Sequence, residues 1–409
     1  MRENTNLAAL LWDESYLWGI WLYDALLKTD ISFKLIQSKD LKNIHKYKVL
    51  FVPGGWAKNK FQRIGTNGAD LIKKFIKDGG IYFGICGGAG LATIEGIGIV
   101  NIKRKKDRVP GFSGPVKVAF YDHSLWINIK NPEFYLWWPS EFLVNDKNIK
   151  VLASFNDYCD GAFSSDIPAS DFEGHWNELE SIYGINLNPK KMKDAPIMIE
   201  TEYGRGKVFL SLIHFDTPLN SDGLKVFKNI KSLFELSDFS HSNTFVDSIN
   251  NKPGNTESLF HLIQHISEQI KTFILFGERN FLWFKRYPFM YQWRRGIRGF
   301  EYINLHYMID RIFTEIKEHP LNYREFINSA LTQISSELKS FLSESRELLI
   351  RERIALQKEK ITYNLCNDYE INLLRDKLFG KTKSYGGRYK ELIEKIDEIL
   401  FLLLKSKLE

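Results

Sequence analysis

Residues 79–90 read GGIYFGICGGAG, and the fold can be inferred outward from this stretch. The apolar run before Cys86 predicts a short buried strand, and residues 91–94 can continue as a helix. Glycines on both sides of the cysteine allow the close backbone approach that a sharp turn from strand to helix demands. A turn of this kind around one polar side chain is the description of a nucleophile elbow.

Cys86 lies at the apex of the predicted turn, at the N-terminus of the helix that follows. The helix macrodipole favours a thiolate over a thiol at that position. The alternative is that Cys86 is a small buried apolar residue, as most free cysteines are. The surrounding glycines favour the elbow for this cysteine.

Length and composition indicate an ordinary globular protein of two domains. The chain has 409 residues, enough for two hydrophobic cores, and its 44% hydrophobic and 26% charged residues are typical of soluble proteins. The net charge is +6, without a dense Lys/Arg tract of the kind that follows a phosphate backbone. Nucleic acid is therefore not indicated as a partner.

The cysteines and the apolar segments bear on cofactors and location. Cys86, Cys159 and Cys366 are far apart and match no metal-ligand spacing, which predicts a reducing compartment and neither a disulfide nor a metal site. We find no signal-peptide pattern, and charges and Pro288 interrupt the apolar region 273–293, so no membrane span is predicted. The expected location is the cytoplasm, and no cofactor is expected.

The first half of the chain alternates strand-like and helix-like patterns. Strands are predicted at 7–11, 31–36, 48–52, 197–200 and 207–211, shorter ones at 116–121, 125–129 and 151–155, and helices at 15–27, 70–77 and 222–236. Continuous apolar strands separated by helices predict an α/β domain, with an open parallel sheet covered by helices on both faces. The parallel pattern is expected to return with the strands at 197–200 and 207–211.

The second half has a different pattern. Residues 237–257 are rich in Ser, Asn and Asp, which predicts a linker. After the linker, apolar residues recur at spacings of three and four, as in helices that pack on each other. The predicted organisation is an α/β domain over 1–236, a linker over 237–257 and an all-α helical bundle over 258–409.

Three segments of the first domain carry candidate chemistry, and each follows a predicted strand. The carboxyl ends of parallel strands gather at one edge of an open sheet, where ligands bind. A cysteine nucleophile needs a base, and the base needs an acceptor that orients it. The predicted site residues are Cys86, His214 and Asp216 as catalytic groups and Gly54, Gly55 and Gly87 as oxyanion and substrate donors, with no metal ligand.

Each of these residues also has a structural interpretation. His214 can be a buried core histidine with satisfied hydrogen bonds. Asp216, followed by Thr217 and Pro218, can be an N-cap and turn before a helix. Gly54 and Gly55 can be a simple chain reversal. The common position of these residues at strand ends favours the site.

Together these segments resemble a known superfamily. The Val52-Pro53-Gly54-Gly55 strand end, the elbow and the segment from Gly204 to His214 are similar, in this order, to the class I glutamine amidotransferase-like superfamily. With the segment Gly111–Pro115, they most resemble the N-terminal domain of eukaryotic-type biotin–protein ligases. The resemblance covers residues 5–236 and implies a flavodoxin-like sheet; it does not extend to the helical half.

Departures from the superfamily narrow the activity that the resemblance implies. Glutamine amidotransferases usually have His-Pro-Glu where this chain has His214-Phe215-Asp216, and the shorter aspartate leaves its reach to His214 open. Gly88-Ala89-Gly90 offers no side chain to hold glutamine, which argues against a glutaminase. The chain also lacks the catalytic domain of a biotin ligase.

Three further clusters have two interpretations each. The aromatic residues Phe134, Tyr135, Trp137 and Trp138 can be core or can form a wall or lid of the pocket. The acidic residues Asp157, Asp160 and Asp166 are typical of a solvated turn or could hold a cation. Arg294, Arg295 and Arg298 beside aromatic residues can be a solvated helix face, or a surface that binds an acidic partner or a membrane.

The sequence thus leads to two hypotheses from different classes. The first is a cysteine-dependent hydrolase or amidase that acts on a small amide or acyl substrate. The alternative is a non-catalytic binding or regulatory module of the same fold, which binds a small-molecule ligand. In this alternative the helical domain is interpreted as a docking element for a protein partner.

Overall fold

The computed structural model describes residues 6–130, 132–239, 254–318, 323–359, 361–362, 366–381 and 385–409. The chain divides into two compact units between residues 241 and 242. Most of the predicted linker, residues 240–253, lies outside the described residues. Within the described ranges, no helix has the length and apolar character needed to cross a membrane.

The first unit contains strands, α-helices and short 3₁₀ helices. The strands are β1 (Ala8–Leu11), β2 (Phe33–Ile36), β3 (Val49–Val52), β4 (Ile81–Ile85), β5 (Lys103–Arg104), β6 (Phe112–Phe120), β7 (Phe134–Trp137), β8 (Phe142–Leu143), β9 (Lys150–Tyr158), β10 (Phe163–Ser164), β11 (Ile167–Pro168), β12 (Pro196–Tyr203) and β13 (Gly206–Ser211). The α-helices are α1 (Tyr16–Lys28), α2 (Ala57–Lys77), α3 (Gly87–Ala92), α4 (Trp176–Tyr183) and α5 (Ser221–Leu233). The 3₁₀ helices span Ser38–Lys46, Ser124–Trp126, Ser170–Phe172 and Pro189–Met192.

The parallel half of the main sheet has the strand order β2-β1-β3-β4-β13. Each neighbouring pair in this order is parallel. Across the sheet, the connection from β1 to β2 runs toward one edge and the connection from β3 to β4 runs toward the other. Because both crossovers are right-handed, α1 and α2 lie on opposite faces of the sheet. This is the flavodoxin-like order, and the predicted α/β fold class is confirmed.

The remaining strands extend the sheet in antiparallel fashion, in the order β13-β12-β9-β6-β10-β11, and β7 also pairs with β6. The expectation that the parallel pattern returns at 197–200 was therefore wrong for β12. Gly204 and Arg205 form a two-residue connection between β12 and β13, and Gly204 has a φ of 64°. A connection this short reverses the chain and makes the two strands antiparallel.

Two other local predictions differ from the structure. Helix α2 begins at Ala57 instead of residue 70, and it contains a non-helical residue, Gly65, with φ 64° and ψ −179°. Glycines inside a helical pattern weaken its signal, which explains why the early part was missed. The predicted strand at 125–129 was also wrong, because its first residues belong to a 3₁₀ helix.

The first unit continues beyond the predicted boundary at residue 236. Ser237 accepts a hydrogen bond from the Ser32 backbone N–H at 2.9 Å and donates to the Asn6 carbonyl at 2.8 Å. The Phe239 N–H donates to the Asp30 carbonyl at 3.0 Å. These contacts are long-range in sequence, so composition alone did not reveal them.

The second unit is mainly helical. Its elements are α6 (Gly254–Arg279), β14 (Trp283–Tyr287), β15 (Met290–Trp293), α7 (Gly299–Glu318), α8 (Arg324–Lys358), α9 (Tyr369–Phe379) and α10 (Gly387–Ser406). The apolar stripes predicted from the sequence are buried, which confirms the helical region; they include Leu259, Ile263, Ile266, Ile327, Leu331, Leu392 and Ile396.

The antiparallel hairpin β14–β15 was not predicted, since this aromatic-rich segment was assigned to the helical region. Aromatic residues favour strands, which is the signal that was passed over. The predicted basic patch also differs from a helix face. Arg294 and Arg295 lie between β15 and α7, and the buried Arg298 donates a hydrogen bond of 2.9 Å to Glu301.

Candidate active site

Three neighbouring parallel strands end at the candidate site. In the order β13-β4-β3, the strand β4 is central and leads directly to Cys86. Strand β3 leads to Gly54 and Gly55 on one side, and β13 leads to His214 on the other. The residues that the sequence assigned to one sheet edge therefore lie at the ends of adjacent strands.

Cys86 has the backbone conformation of a strained turn. Its φ is 49° and its ψ is −103°, in a region that residues with a side chain rarely adopt. The Cys86 N–H donates to the Ser211 carbonyl at 2.7 Å, and its carbonyl accepts from the Gly90 N–H at 2.9 Å. The half-buried Cys86 is thereby fixed between β13 and the start of α3. Strain held by surrounding contacts is typical of functional sites.

The glycines around the turn are required by close backbone approach. A Cβ on Gly87 would lie 1.9 Å from the Gly55 carbonyl oxygen, and one on Gly88 would lie 2.0 Å from the Val52 oxygen. Gly55 itself has a φ of 113°. Gly54 is close to His214, because a Cβ on Gly54 would lie 3.1 Å from His214 Cε1. Gly54, Gly55 and Gly87 are thus brought together beside Cys86.

His214 and Asp216 form a buried pair. Nδ1 of His214 lies 2.9 Å from Oδ1 of Asp216, and the exposed fractions of the two residues are 0% and 2%. The shorter aspartate therefore reaches the histidine. Nε2 of His214, the other ring nitrogen, is buried and has no hydrogen-bond partner among the described residues.

The surroundings of His214 favour its protonated form. Burial lowers its pKa, but the charge and hydrogen bond of Asp216, followed by the interaction with Cys86, outweigh burial and raise the pKa to about 9. At neutral pH these interactions favour an imidazolium that is hydrogen-bonded through Nδ1 to the Asp216 carboxylate. An arrangement of this kind can stabilise a thiolate and supply a proton to a leaving group.

The aromatic segment that includes β7 has both of the roles that the sequence left open. Phe134 is fully buried and packs against Phe215, with ring centroids 5.1 Å apart. The Trp137 carbonyl oxygen lies 3.9 Å from Cys86 Sγ. The Tyr135 backbone carbonyl accepts a hydrogen bond of 2.9 Å from the His214 backbone N–H. The segment is therefore core on one side and a wall of the site on the other.

An indole ring also packs directly against His214. The Trp18 ring centroid lies 4.6 Å from that of His214, and Trp138 packs against Trp18 at 6.4 Å. The Trp137 Nε1–H donates to Thr217 Oγ1 at 3.1 Å, and that hydroxyl donates to the His214 carbonyl at 2.9 Å. Aromatic packing and hydrogen bonds together fix the position of the imidazole.

Sequence reasoning missed a buried polar network next to Gly55. Lys60 is fully buried, and its Nζ donates to the Asp13 carbonyl at 3.0 Å and to Ser15 Oγ at 2.6 Å. A Cβ on Gly55 would lie 2.5 Å from the Glu14 carbonyl oxygen and 3.3 Å from Lys60 Cε. The polar residues 13–15 after β1 were a visible signal, whereas Lys60 was one of many lysines on a helix.

A second missed residue is Arg108, which follows the short basic run 103–106. The Arg108 Nη1 donates to the Pro139 carbonyl at 3.2 Å. Burial and Arg104 lower the pKa of Arg108, while Glu141, Cys86 and Glu95 raise it. A guanidinium thus lies within range of a charge interaction with Cys86.

The acidic cluster of Asp157, Asp160 and Asp166 had two interpretations, a solvated turn and a cation site. Asp157 accepts a hydrogen bond from the adjacent Tyr158 N–H at 2.9 Å, and Asp166 accepts one from the Tyr183 hydroxyl at 3.3 Å. Among the residues that the structure describes, no three or more His, Cys, Asp or Glu side chains form a group that could hold a metal ion. The acidic residues therefore do not form a recognisable cation site.

Comparisons with known proteins add likenesses in structure. No family model matches the chain, and no curated protein matches it. It is similar to PurLQS from Thermotoga maritima at 16% identity and a TM-score of 0.39, over 56% of this chain and 98% of that one. A glutamine amidotransferase structure matches at 14% identity and a TM-score of 0.37, over 56% and 99%. A β-galactosidase from Bacillus circulans sp. alkalophilus matches at 13% identity and a TM-score of 0.36, over 57% and 32%.

Proposed function

We propose that the first unit is a class I glutamine amidotransferase-like domain that hydrolyses a small amide or acyl substrate through Cys86. The observation that supports this most is the His214–Asp216 hydrogen bond of 2.9 Å beside a strained cysteine at a strand-to-helix turn. Nucleophile, base and orienting acceptor are the three groups that covalent acyl transfer needs. The resemblance to the N-terminal domain of biotin–protein ligases is part of the proposal and rests on the sequence motifs.

The proposed reaction has two steps. The Cys86 sulfur attacks the carbonyl carbon, and the N–H groups of Gly55 and Gly87 hold the oxyanion that forms. His214 gives its proton to the leaving amine or alkoxide as the carbon–heteroatom bond breaks, which leaves a thioester on Cys86. Water then attacks the thioester, His214 accepts a proton from it, and the carboxylic acid and the free cysteine are released.

Glutamine is not the proposed substrate. Gly88, Ala89 and Gly90, which follow the elbow, are all buried and offer no polar side chain to an amino acid substrate. A biotin-ligase activity is likewise not part of the proposal. Cytoplasmic location and docking of a protein partner by residues 258–409 stay predictions.

The test is covalent labelling of the full chain. The acyl probe p-nitrophenyl acetate should acetylate Cys86 and not Cys159 or Cys366, as mapped by mass spectrometry. Iodoacetamide should alkylate Cys86 at pH 7 roughly tenfold faster than a model thiol. Cys86→Ser should abolish both labels, whereas the matched variant Cys159→Ser should keep them. If Cys86 reacts like a model thiol and is not acetylated, the non-catalytic binding module becomes the better interpretation.

A further inference from the structure

A basic segment borders the candidate site and is held there by one buried carboxylate. Residues 103–108 read KRKKDR. Glu141 is 1% exposed, and its Oε1 accepts from the Val109 N–H at 2.7 Å while its Oε2 lies 3.3 Å from Lys105 Nζ. The Lys105 N–H also donates to the Glu141 carbonyl at 3.0 Å. The segment is therefore fixed against the stretch that ends at Glu141.

That stretch connects Arg108 to the nucleophile. The Arg108 Nη1 donates to the Pro139 carbonyl at 3.2 Å, and the Trp137 carbonyl, two residues earlier, lies 3.9 Å from Cys86 Sγ. The Arg108 guanidinium and the Cys86 sulfur thus each lie beside a backbone carbonyl of the segment 137–139. The effect of Cys86 on the pKa of Arg108 agrees with this placement.

Arg108 retains hydrogen-bonding capacity for a ligand. Both Glu141 oxygens are used by Val109 and Lys105, and Arg104 pairs with Glu95 at 2.6 Å. In the described part of the chain, the Pro139 carbonyl is the acceptor of the Arg108 guanidinium, which leaves its Nε–H and Nη2 groups unused. A guanidinium presents these donors as a planar fork that matches a carboxylate or a phosphate.

We propose that Arg108 binds an anionic group of the substrate, so that the Cys86 site acts on small amides or esters that carry a carboxylate or phosphate. This inference rests on the proposed function for its reaction, but anion binding can be measured without turnover. The ring centroids of Trp138 and Trp137 are 5.8 Å apart, so that Trp138 adds apolar surface to the segment 137–139. A charged group bound there is less screened by water, so its interaction with the guanidinium is stronger.

The experiment compares two alkylating agents that differ in charge. Iodoacetate carries a carboxylate and iodoacetamide does not, and each rate at Cys86 is divided by the rate with 2-mercaptoethanol. We expect the normalised iodoacetate rate to exceed the iodoacetamide rate by about tenfold in the wild type, as for a hydrogen bond to a charged group. Arg108→Gln should bring the ratio to about one. Arg104→Gln, with the same change in charge, should keep the preference.

Competition separates the two anion types and needs no variant. Succinate or inorganic phosphate should slow alkylation of wild-type Cys86 by iodoacetamide, and the anion that protects at lower concentration identifies the group. A wild-type ratio near one without protection by either anion would overturn the assignment of Arg108, as would an unchanged ratio in a folded Arg108→Gln protein. Failure of the proposed function is a separate result, in which iodoacetamide labels Cys86 no faster than a model thiol.

Discussion

His214 and Asp216 are joined by a hydrogen bond of 2.9 Å between Nδ1 and Oδ1, and only one residue separates them in the chain. Both are buried where the chain leaves β13 and turns toward α5. The turn is closed by the Thr217 N–H, which donates to the His214 carbonyl at 3.2 Å. A short local turn thus lets an aspartate orient the imidazole.

We predict that Asp216→Asn lowers the pKa of His214 by roughly 1–3 units, as expected when an opposite charge close to the ring is removed. The present pKa is about 9, and without the carboxylate the burial of the ring dominates. Nitrogen-15 NMR titration of labelled histidines measures the change, with His214→Asn to assign the signal. Asp222→Asn, which removes a partly exposed carboxylate paired with Lys225, should leave the pKa unchanged.

The same pair makes the stability of the first unit depend on pH. The pKa of His214 is about 9 in the folded protein against 6.5 without the fold, so its stabilising contribution is complete below pH 6.5 and is lost as the pH rises through 9. The shift corresponds to about 3 kcal/mol. Protection of the β4 and β13 amides against hydrogen exchange, corrected for the intrinsic pH dependence of exchange, should fall more between pH 6 and 9.5 in the wild type than in Asp216→Asn. Equal pH dependence in both proteins would show that the pair has no such effect.

Substitution of Gly87 should damage the site more than substitution of Gly90 on the same helix. A Cβ on Gly87 would lie 1.9 Å from the Gly55 oxygen, whereas one on Gly90 would meet only Ala57 Cβ at 3.3 Å. Gly87→Ala should cost about 3 kcal/mol through overpacking and should slow acetylation of Cys86. Urea unfolding and the acetylation rate test this; a Gly87→Ala protein as reactive as Gly90→Ala would contradict the close approach.

Replacement of the buried Lys60 should destabilise the segment 13–15, which lies next to Gly55. Lys60→Met leaves the Asp13 carbonyl and Ser15 hydroxyl without their 3.0 and 2.6 Å donor, at an expected cost of about 3 kcal/mol in unfolding free energy. The exposed Lys58 on the same helix provides the control, and Lys58→Met should be near neutral. Urea unfolding followed by tryptophan fluorescence compares them. Equal stability of the two variants would mean that Lys60 does not hold this segment.

In the second unit, Glu352 should make stability fall as the pH rises. Burial raises its pKa to about 7, against the opposing effect of Arg375, whose Nε donates to Oε1 at 2.7 Å. The folded state therefore binds more protons between pH 4.5 and 7, and the wild type should lose up to about 3 kcal/mol across that window. Glu352→Gln should flatten the dependence, and Glu347→Gln, an exposed position on the same helix, should not. Hydrogen exchange in α8 at pH 5 and 7.5 distinguishes them; identical profiles for the wild type and Glu352→Gln would refute the prediction.

Local sequence signals determined the parallel half of the sheet and the chain segments of the candidate site. Apolar runs that end in glycine or proline marked β3 and β4, and the order Gly54–Gly55, Cys86, His214 then followed from the rule that strand ends gather at one edge. The amphipathic stripes of the second unit were equally visible, because helical spacing is a short-range property.

Tertiary structure alone decided the features that depend on distant partners. The direction of β12, the hairpin β14–β15 and the pairing of Ser237 with Asn6 and Ser32 depend on neighbours that a local pattern does not identify. In the sequence, Lys60 and Arg108 are two of 56 lysines and arginines, and nothing local distinguishes them. The fold buries Lys60 next to Gly55 and places the Arg108 guanidinium on the Pro139 carbonyl, close to the segment that contacts Cys86. The physical reason is that burial and electrostatic contact arise from packing between segments, whereas composition and periodicity record only the preferences of each segment by itself.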